Sequence, residues 1–412
     1  MLKALIIGYV WPEPKTTAAG HRMMQLVSAF KNEGFAITFA TTASKTKYSE
    51  NLEEFGILTK VILLNNSSFD DFVKELKPDV VVFDRFMVEE QFGWRVAEHV
   101  PNALRILNTE DLHSLRNTRE LALKKDEEFT INRWLGDDMT KREIASIYRS
   151  DLTLLVSLFE KKLLIDGLNI SPDLLYHLPF LLETISIKTQ EELRTFEERK
   201  DFICFGNGKH APNLDAFIYL KEVIWPLIRK ELPNAEVHIY GAYLPQQVEE
   251  MHKPKDGFCI HGWINDLDTA LQKTRINLAP LRFGAGIKGK LTQAMQNGTP
   301  TVSTTIGVEG MFSEGSRPVA VADHPKEFVR AVVTLYNDES KWTDIQSNGI
   351  KTINSFYKKK TLVPIFFDQL EKLLKNLMEH RTANFIGSLL QHQTMAGTKY
   401  MSKWIAEKNS KK

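Results

Sequence analysis

The sequence predicts an α/β protein built of two doubly wound domains that face each other across a cleft. Three observations carry that prediction. Short β-rich apolar runs alternate with amphipathic helical stretches along most of the 412 residues. The strand runs are nearly all apolar instead of alternating, which suits parallel strands covered on both faces. After a charged interruption the βα series starts again, so the chain holds two such sheets rather than one.

In the first series, strands are expected at Leu5–Gly8, Ala36–Thr41, Thr59–Leu64, Asp79–Phe83, Leu104–Leu107, Leu152–Val156 and Leu175–Leu178. Helical patterns lie between them at Ala19–Glu33, Phe69–Leu76 and Met87–Glu98. The first places Met23, Leu26, Val27 and Phe30 at i, i+3, i+4 and i+7, one buried face. These elements make up a domain over 1–180, followed by a polar connection over 181–200. The second domain, 201–360, opens with a strand at Phe202–Phe205 and a helix from Pro212 to about Lys230. Strands follow at Glu236–Tyr240, Phe258–Ile260, Ile276–Ala279, Thr301–Ser303 and Pro318–Val321, with helices at Leu267–Lys273 and near Lys288–Gln296. Residues 361–412 read as a helical tail packed back on the first domain. Its end, with Met401, Trp404 and Ile405 beside several lysines, also reads as a helix for peripheral membrane contact.

Apolar residues make up 43% of the chain and charged residues 25%, an ordinary globular balance. A formal charge of +1 supplies no global field for nucleic acid. Cys204 and Cys259 sit in apolar strands, fit no zinc spacing or disulfide framework, and read as buried inert thiols. The N-terminus is a strand rather than a secretory leader, and no apolar run reaches the roughly 20 residues that span a bilayer. The expected compartment is the cytoplasm, with membrane association as the variant.

The densest chemical signal is Pro280-Leu281-Arg282-Phe283-Gly284-Ala285-Gly286-Ile287-Lys288-Gly289-Lys290, directly after a strand. Glycines let the backbone approach a ligand, the following helix offers unpaired N–H groups, and Arg282, Lys288 and Lys290 add full positive charge. Together they suit a diphosphate; a tight βα turn with solvated cations is the structural reading. Glu309, after the next strand, can accept hydrogen bonds from sugar or ribose hydroxyls, or stand as a loop acid. Gly206, Gly208 and Lys209 repeat the pattern of strand, glycine turn and cation at the head of the second domain, with spacing that rules out a P-loop. In the first domain, residues 8–22 follow the first strand; Ala19 and Gly20 permit close approach, and His21 and Arg22 read equally well as ligand-facing or helix-surface residues. Asp111 or His113 can orient a hydroxyl or receive its proton, and Asp111 can equally cap a helix. Asp84 and Arg85, at another strand end, read as a structural ion pair in preference to a catalytic one.

The strings GNGKHAPNLDAFIYLKEVIWPLI, AEVHIYGAYLP and GWINDLDTALQKTRINLAPLRFGAGIKGKLTQAMQNGTPTVSTTIGVEGM resemble the nucleotide-binding half of the group 1 glycosyltransferases, nearest to bacterial sugar transferases of polysaccharide biosynthesis. The resemblance covers Phe202 to Met311 well and extends weakly over the rest. It implies the GT-B fold, two Rossmann-like domains with the donor mainly on the second and the acceptor on the first. It also implies retention of anomeric configuration without a metal or other cofactor. The donor would be a UDP- or GDP-sugar and the acceptor a glycan or lipid-linked sugar. Arg282, Lys288 and Lys290, with Lys209, would neutralise the departing diphosphate. Gly20, Gly206, Gly284, Gly286, Gln293 and Glu309 would line the donor site, and Asp111 and His113 the reacting hydroxyl. Relatives often carry glutamates where this chain has Ala285 and Gln293. That departure keeps two rivals open: a GT-B scaffold that binds nucleotide or glycan without turnover, and a nucleotide-sugar epimerase on the same fold.

Overall fold

The computed structural model describes residues 1–312 and 315–410 and shows two parallel sheets. The first contains β1 (Lys3–Gly8), β2 (Ala36–Thr41), β3 (Leu58–Val61), β4 (Val80–Asp84), β5 (Leu104–Asn108), β6 (Leu152–Leu155) and β7 (Leu175–His177), in the order β3-β2-β1-β4-β5-β6-β7. The second contains β8 (Lys200–Phe205), β9 (Val237–Tyr240), β10 (Phe258–Gly262), β11 (Thr274–Ala279), β12 (Thr301–Ser303) and β13 (Ala320–Val321), in the order β10-β9-β8-β11-β12-β13. Both are doubly wound, and both reverse winding direction between neighbouring strands, β1 and β4 in one and β8 and β11 in the other. A ligand crevice forms at such a reversal, beyond the strands' carboxyl ends. The glycine loop leaves β11, and residues 206–213 leave β8, so the two suspected phosphate segments share one switch point.

Alternate residues of β1 explain why its sequence is apolar after Lys3. Ala4 and Ile6 pack with Met23, Leu26 and Phe30 of the helix Ala18–Asn32 on one face. Leu5 and Ile7 pack with Phe83, Leu107 and Leu115 on the other. Two buried faces leave no place for a polar side chain after Lys3, the strand's exposed first residue.

The last strand is shorter than expected, Ala320–Val321 instead of Pro318–Val321, and two further elements differ for an identifiable reason. The third strand ends at Val61 instead of Leu64: it is a sheet edge, its last ladder bond is Ile62 N–H to Thr41 O, and Leu63 and Leu64 are exposed. The helix expected from Pro212 to Lys230 runs as Ala211–Tyr219, a π-turn at Leu220–Ile224, and Trp225–Glu231. Pro226 has no N–H to donate and its ring crowds the carbonyl one turn earlier, so the widened turn lets the helix pass through it.

After the helix Glu339–Phe356 the chain crosses back. The helix Lys359–Lys375 sets Val363, Phe366, Leu370 and Leu373 into the first lobe's core. The helix Phe385–Ser410 runs along that lobe, with Gln391 Nε2 donating to Arg149 O and Lys399 Nζ at 2.7 Å from Glu98. Tyr400, Met401 and Trp404 stay exposed, because the contact side is the one carrying Ser402. Lys411 and Lys412 lie outside the described residues. Among the described residues, no helix is long and apolar enough to cross a membrane.

Candidate functional site

A cleft of about 1250 Å³ opens between the two lobes, at the carboxyl ends of both sheets. Its second-lobe wall begins with the helix Gly289–Gln296, whose N-cap residue Lys288 makes no side-chain capping bond. Leu291 N–H turns back to Lys288 O at 2.8 Å, and the N–H groups of Gly289 and Lys290 are left to a ligand at the positive end of the helix. Gly284, Ala285, Lys288 and Lys290 border this point. Lys288 Nζ donates to the carbonyl oxygens of Gly286 (2.8 Å) and Ala285 (3.3 Å), and Lys290 Nζ donates to Asn213 Oδ1 (2.8 Å). Burial lowers the pKa of both lysines, that of Lys288 to about 8 with Glu309 and Glu160 pulling it back up. Gly206 and Lys209 line the same wall, and Lys209 Nζ sits 3.7 Å above the Tyr243 ring. His210 beside them is driven down to about 3, by burial first and then by Arg116, so it is a neutral imidazole. Gln293 reaches the cleft as well, and its Nε2 donates to Asp268 Oδ1 at 2.9 Å. Asp268 also lines the cleft, so a carboxylate faces the ligand space there although position 293 is an amide.

The first-lobe wall holds Gly20, at the start of the helix Ala18–Asn32, together with Asp111 and His113. Asp111 caps nothing: the helix His113–Lys124 begins after Leu112 without a side-chain cap. Its carboxylate instead lies 3.1 Å from His113 Nε2 and pairs with Arg116, and Arg116 above all holds it well below the usual range despite burial. A carboxylate so committed is a poor proton acceptor. Its neighbour Glu110 differs. Burial raises Glu110 to about 7, against the pull of Arg22 and with a further push from Asp84. Asn108 Nδ2 donates to it at 2.7 Å, its backbone sits at φ 62°, and it lines the cleft. Sequence reasoning passed over Glu110 because only the fold puts Arg22 and Asp84 beside it. The positive φ of a non-glycine residue directly after a strand leaves no sequence signature.

Three residues expected at the donor site lie outside the cleft. Arg282 turns away, where its Nε donates to Asp215 Oδ2 at 3.0 Å and its guanidinium stacks on Tyr219 at 4.6 Å. Both partners sit on the helix Ala211–Tyr219, one turn apart, and together they draw it out of the phosphate region. Glu309 has both carboxylate oxygens taken by Arg119 of the first lobe, at 2.7 and 2.8 Å. Gly286 gives its N–H to Glu160 Oε1 (2.7 Å), also from the first lobe. At φ 63°, a Cβ on Gly286 would stand 2.8 Å from Asp111 Cβ, so glycine here serves lobe-to-lobe contact rather than ligand approach. Arg119 also donates to Gly284 O at 2.8 Å, and the glycine loop is thereby clamped to the first lobe from two sides.

Two first-lobe readings are also corrected. Arg22 is fully buried beneath the cleft, with Nε near Asn108 Oδ1 (3.3 Å) and Nη1 donating to Pro179 O (2.8 Å). Asp84 and Arg85 form no ion pair: Asp84 accepts from Tyr9 N–H at 3.1 Å and Arg85 stacks on the Tyr9 ring at 4.8 Å. His21 does reach the cleft, stacked against Phe180. Both cysteines are buried, and burial pushes the Cys204 thiol up to about 11.

Comparison with known proteins bears on this arrangement. Residues 199–338 match the family model described as glycosyl transferases group 1. A curated relative, an uncharacterized 44.6 kDa protein in the cps region of Klebsiella pneumoniae, is 27% identical over 171 residues, which cover 40% of this chain and 44% of the relative. This chain thus matches less than half the length of that relative. Sucrose-phosphate synthase from Thermosynechococcus elongatus superposes with a TM-score of 0.68 at 12% identity, covering 90% of this chain and 99% of that one. Anabaena HepE in complex with UDP and glucose gives 0.64 at 12% identity, covering 90% and 100%. At that identity the superpositions establish the shared fold, the two-lobed GT-B arrangement.

Proposed function

We propose, from a GT-B fold whose second lobe matches the group 1 glycosyl transferases over residues 199–338, that the chain moves a sugar from a nucleotide-diphosphate donor to an acceptor hydroxyl. One observation carries the reading. Lys288, Lys290 and an uncapped helix start meet on one wall of a single cleft, and Glu110, with a pKa near neutrality, stands on the other. In the transfer, the bond from the anomeric carbon to the diphosphate oxygen breaks and a bond to the acceptor oxygen forms. The charge that develops on the leaving diphosphate meets fixed cations and N–H dipoles, which stabilise the transition state more than the ground state. The acceptor proton passes to the Glu110 carboxylate or to the departing phosphate oxygen. Attack from the face the diphosphate leaves gives retention.

Asp268, oriented by Gln293, accepts from ribose or sugar hydroxyls in place of the missing glutamate. Because lysines supply the positive charge, the reaction needs no metal ion, and added magnesium or manganese leaves the rate unchanged. UDP in the HepE structure favours a uridine donor, and the cps-region relative favours a glycan acceptor in polysaccharide synthesis.

Isothermal titration of UDP and GDP tests the donor site. Lys288→Ala plus Lys290→Ala should abolish measurable heat, and unchanged binding in the double variant would sink the assignment. Turnover is tested with radiolabelled nucleotide sugars and glycan acceptors. The commitment of Glu309 to Arg119 favours a second reading, a scaffold that binds nucleotide without turnover. Binding with no transfer or hydrolysis would select it, and conversion of donor alone to a new sugar nucleotide would select an epimerase.

A further inference from the structure

The outer edge of the second sheet carries a group of side chains that the cleft does not use. β9 and β10 pair in parallel with His238 opposite Cys259, and Glu236 lies two residues before His238 on the same face. A carboxylate oxygen, an imidazole nitrogen and a thiol sulfur are thus brought within 4.8 Å of one another, with Cys259 buried and the other two half-buried. The two nitrogens of His238 have different surroundings. Nε2 is 3.8 Å from Glu236 Oε2, too long for a hydrogen bond and suited to two ligands across one ion. Nδ1 is 3.0 Å from His261 Nε2, so it can donate there and fix the ring with Nε2 free to ligate. His261 is itself held by stacking on Tyr240 at 4.8 Å. Neither a buried thiol nor a nearby carboxylate gains from this proximity without a cation between them, whereas sulfur, nitrogen and oxygen at this spacing form a donor set for zinc-type ions.

We propose that Glu236, His238 and Cys259 bind one divalent zinc-type ion, with His261 orienting His238. The site is separate from sugar transfer, since none of these four residues lines the cleft. It ties the edge strand β10 to β9, immediately before the Trp263–Asp268 segment that does line the cleft.

The test is titration of the chelator-treated full-length protein with cobalt(II), followed by absorption, and with zinc(II), followed by calorimetry. One equivalent of each should bind, and cobalt should give a thiolate charge-transfer band in the near ultraviolet. Cys259→Ser should remove the band and His238→Gln should abolish tight binding. His261→Ala should keep the band while weakening affinity roughly 10- to 100-fold; unchanged affinity there would remove His261 from the site. Circular dichroism of each variant separates lost binding from lost folding. Absence of the band in folded wild-type protein, or a band that survives Cys259→Ser with only Cys204 remaining, overturns the proposal.

Discussion

At Glu110 a neutral-range carboxyl group arises from three separate circumstances. Burial disfavours its charge, Asp84 repels it, and Arg22 below limits how far the shift goes. If this carboxylate takes the acceptor proton, turnover needs its ionised form, so the rate should climb with pH through about 7. Glu110→Gln should then lower kcat by about 100- to 10,000-fold and flatten that acidic limb; a variant that keeps the wild-type pH profile would exclude the role. Glu160 is a second buried carboxyl, raised to about 8 by burial and by Asp111. Its position is structural, accepting from Leu112 N–H at 3.1 Å and from Gly286 N–H. A carboxyl raised above its unfolded value stabilises the fold while protonated. That contribution is complete below about pH 4 and declines as pH rises towards 8. Glu160→Gln keeps an oxygen for both N–H groups and removes the charge, so its thermal midpoint should fall less than the wild type's between pH 6 and 9, an interval chosen to bracket a pKa of about 8. Parallel melting curves across that interval would contradict the assignment.

Among the elements, the glycine loop between β11 and the helix Gly289–Gln296 has two tasks. Its cleft side offers Lys288, Lys290 and helix N–H groups, and its rear is bound to the first lobe through Arg119 and Glu160. The Arg119–Glu309 pair is nearly dry, with side chains 7% and 13% exposed, and Phe129 and Phe159 flank the guanidinium. Removing one member of such a pair leaves the other charge buried and unpaired, at a cost of about 3–5 kcal/mol. Arg119→Ala should therefore loosen the lobes. Small-angle scattering should show a larger radius of gyration, and donor affinity should fall although Arg119 is outside the cleft. An unchanged radius together with unchanged affinity would show that the clamp is dispensable. A swivelling lobe would separate the phosphate cradle from Glu110, which links this contact to turnover.

Across the whole molecule, the chain order and the packing order disagree. The first lobe is completed by residues from the other end of the sequence: Phe366 and Leu370 are buried against Phe30 and the β1 face. Arg381 donates to both oxygens of Asp151 at 2.7 Å and to the carbonyl of Ala103, fastening the tail to the leading ends of β5 and β6. The C-terminal helices therefore join the two lobes mechanically as well as covalently. Phe366→Ala opens a cavity in the first lobe and should destabilise it by about 3–5 kcal/mol. Chemical denaturation should show that lobe unfolding first, with the second lobe's transition unmoved. A single shifted transition would mean that the lobes unfold as one unit.

Short-range chemistry was legible in the residues themselves. Strand and helix follow from local periodicity, and two buried sheet faces keep most strand positions apolar, so both doubly wound sheets could be read along the chain. Glycines, a following helix and lysines within eleven residues likewise marked the loop at 280–290. Side-chain partnership was not legible, because it depends on residues far apart in sequence. Arg282 and Lys290 carry the same charge in the same loop, yet Asp215, sixty-seven positions away, takes one while Asn213 holds the other at the cleft. Glu309 looked available until the fold set Arg119 against it from 190 residues away. Asp111 and Glu110 are adjacent carboxylates with opposite protonation behaviour, and only their three-dimensional neighbours distinguish them. A pattern of residue types specifies which chemistry a segment can offer; burial and distant charges, fixed when the lobes close, select the groups that can use it.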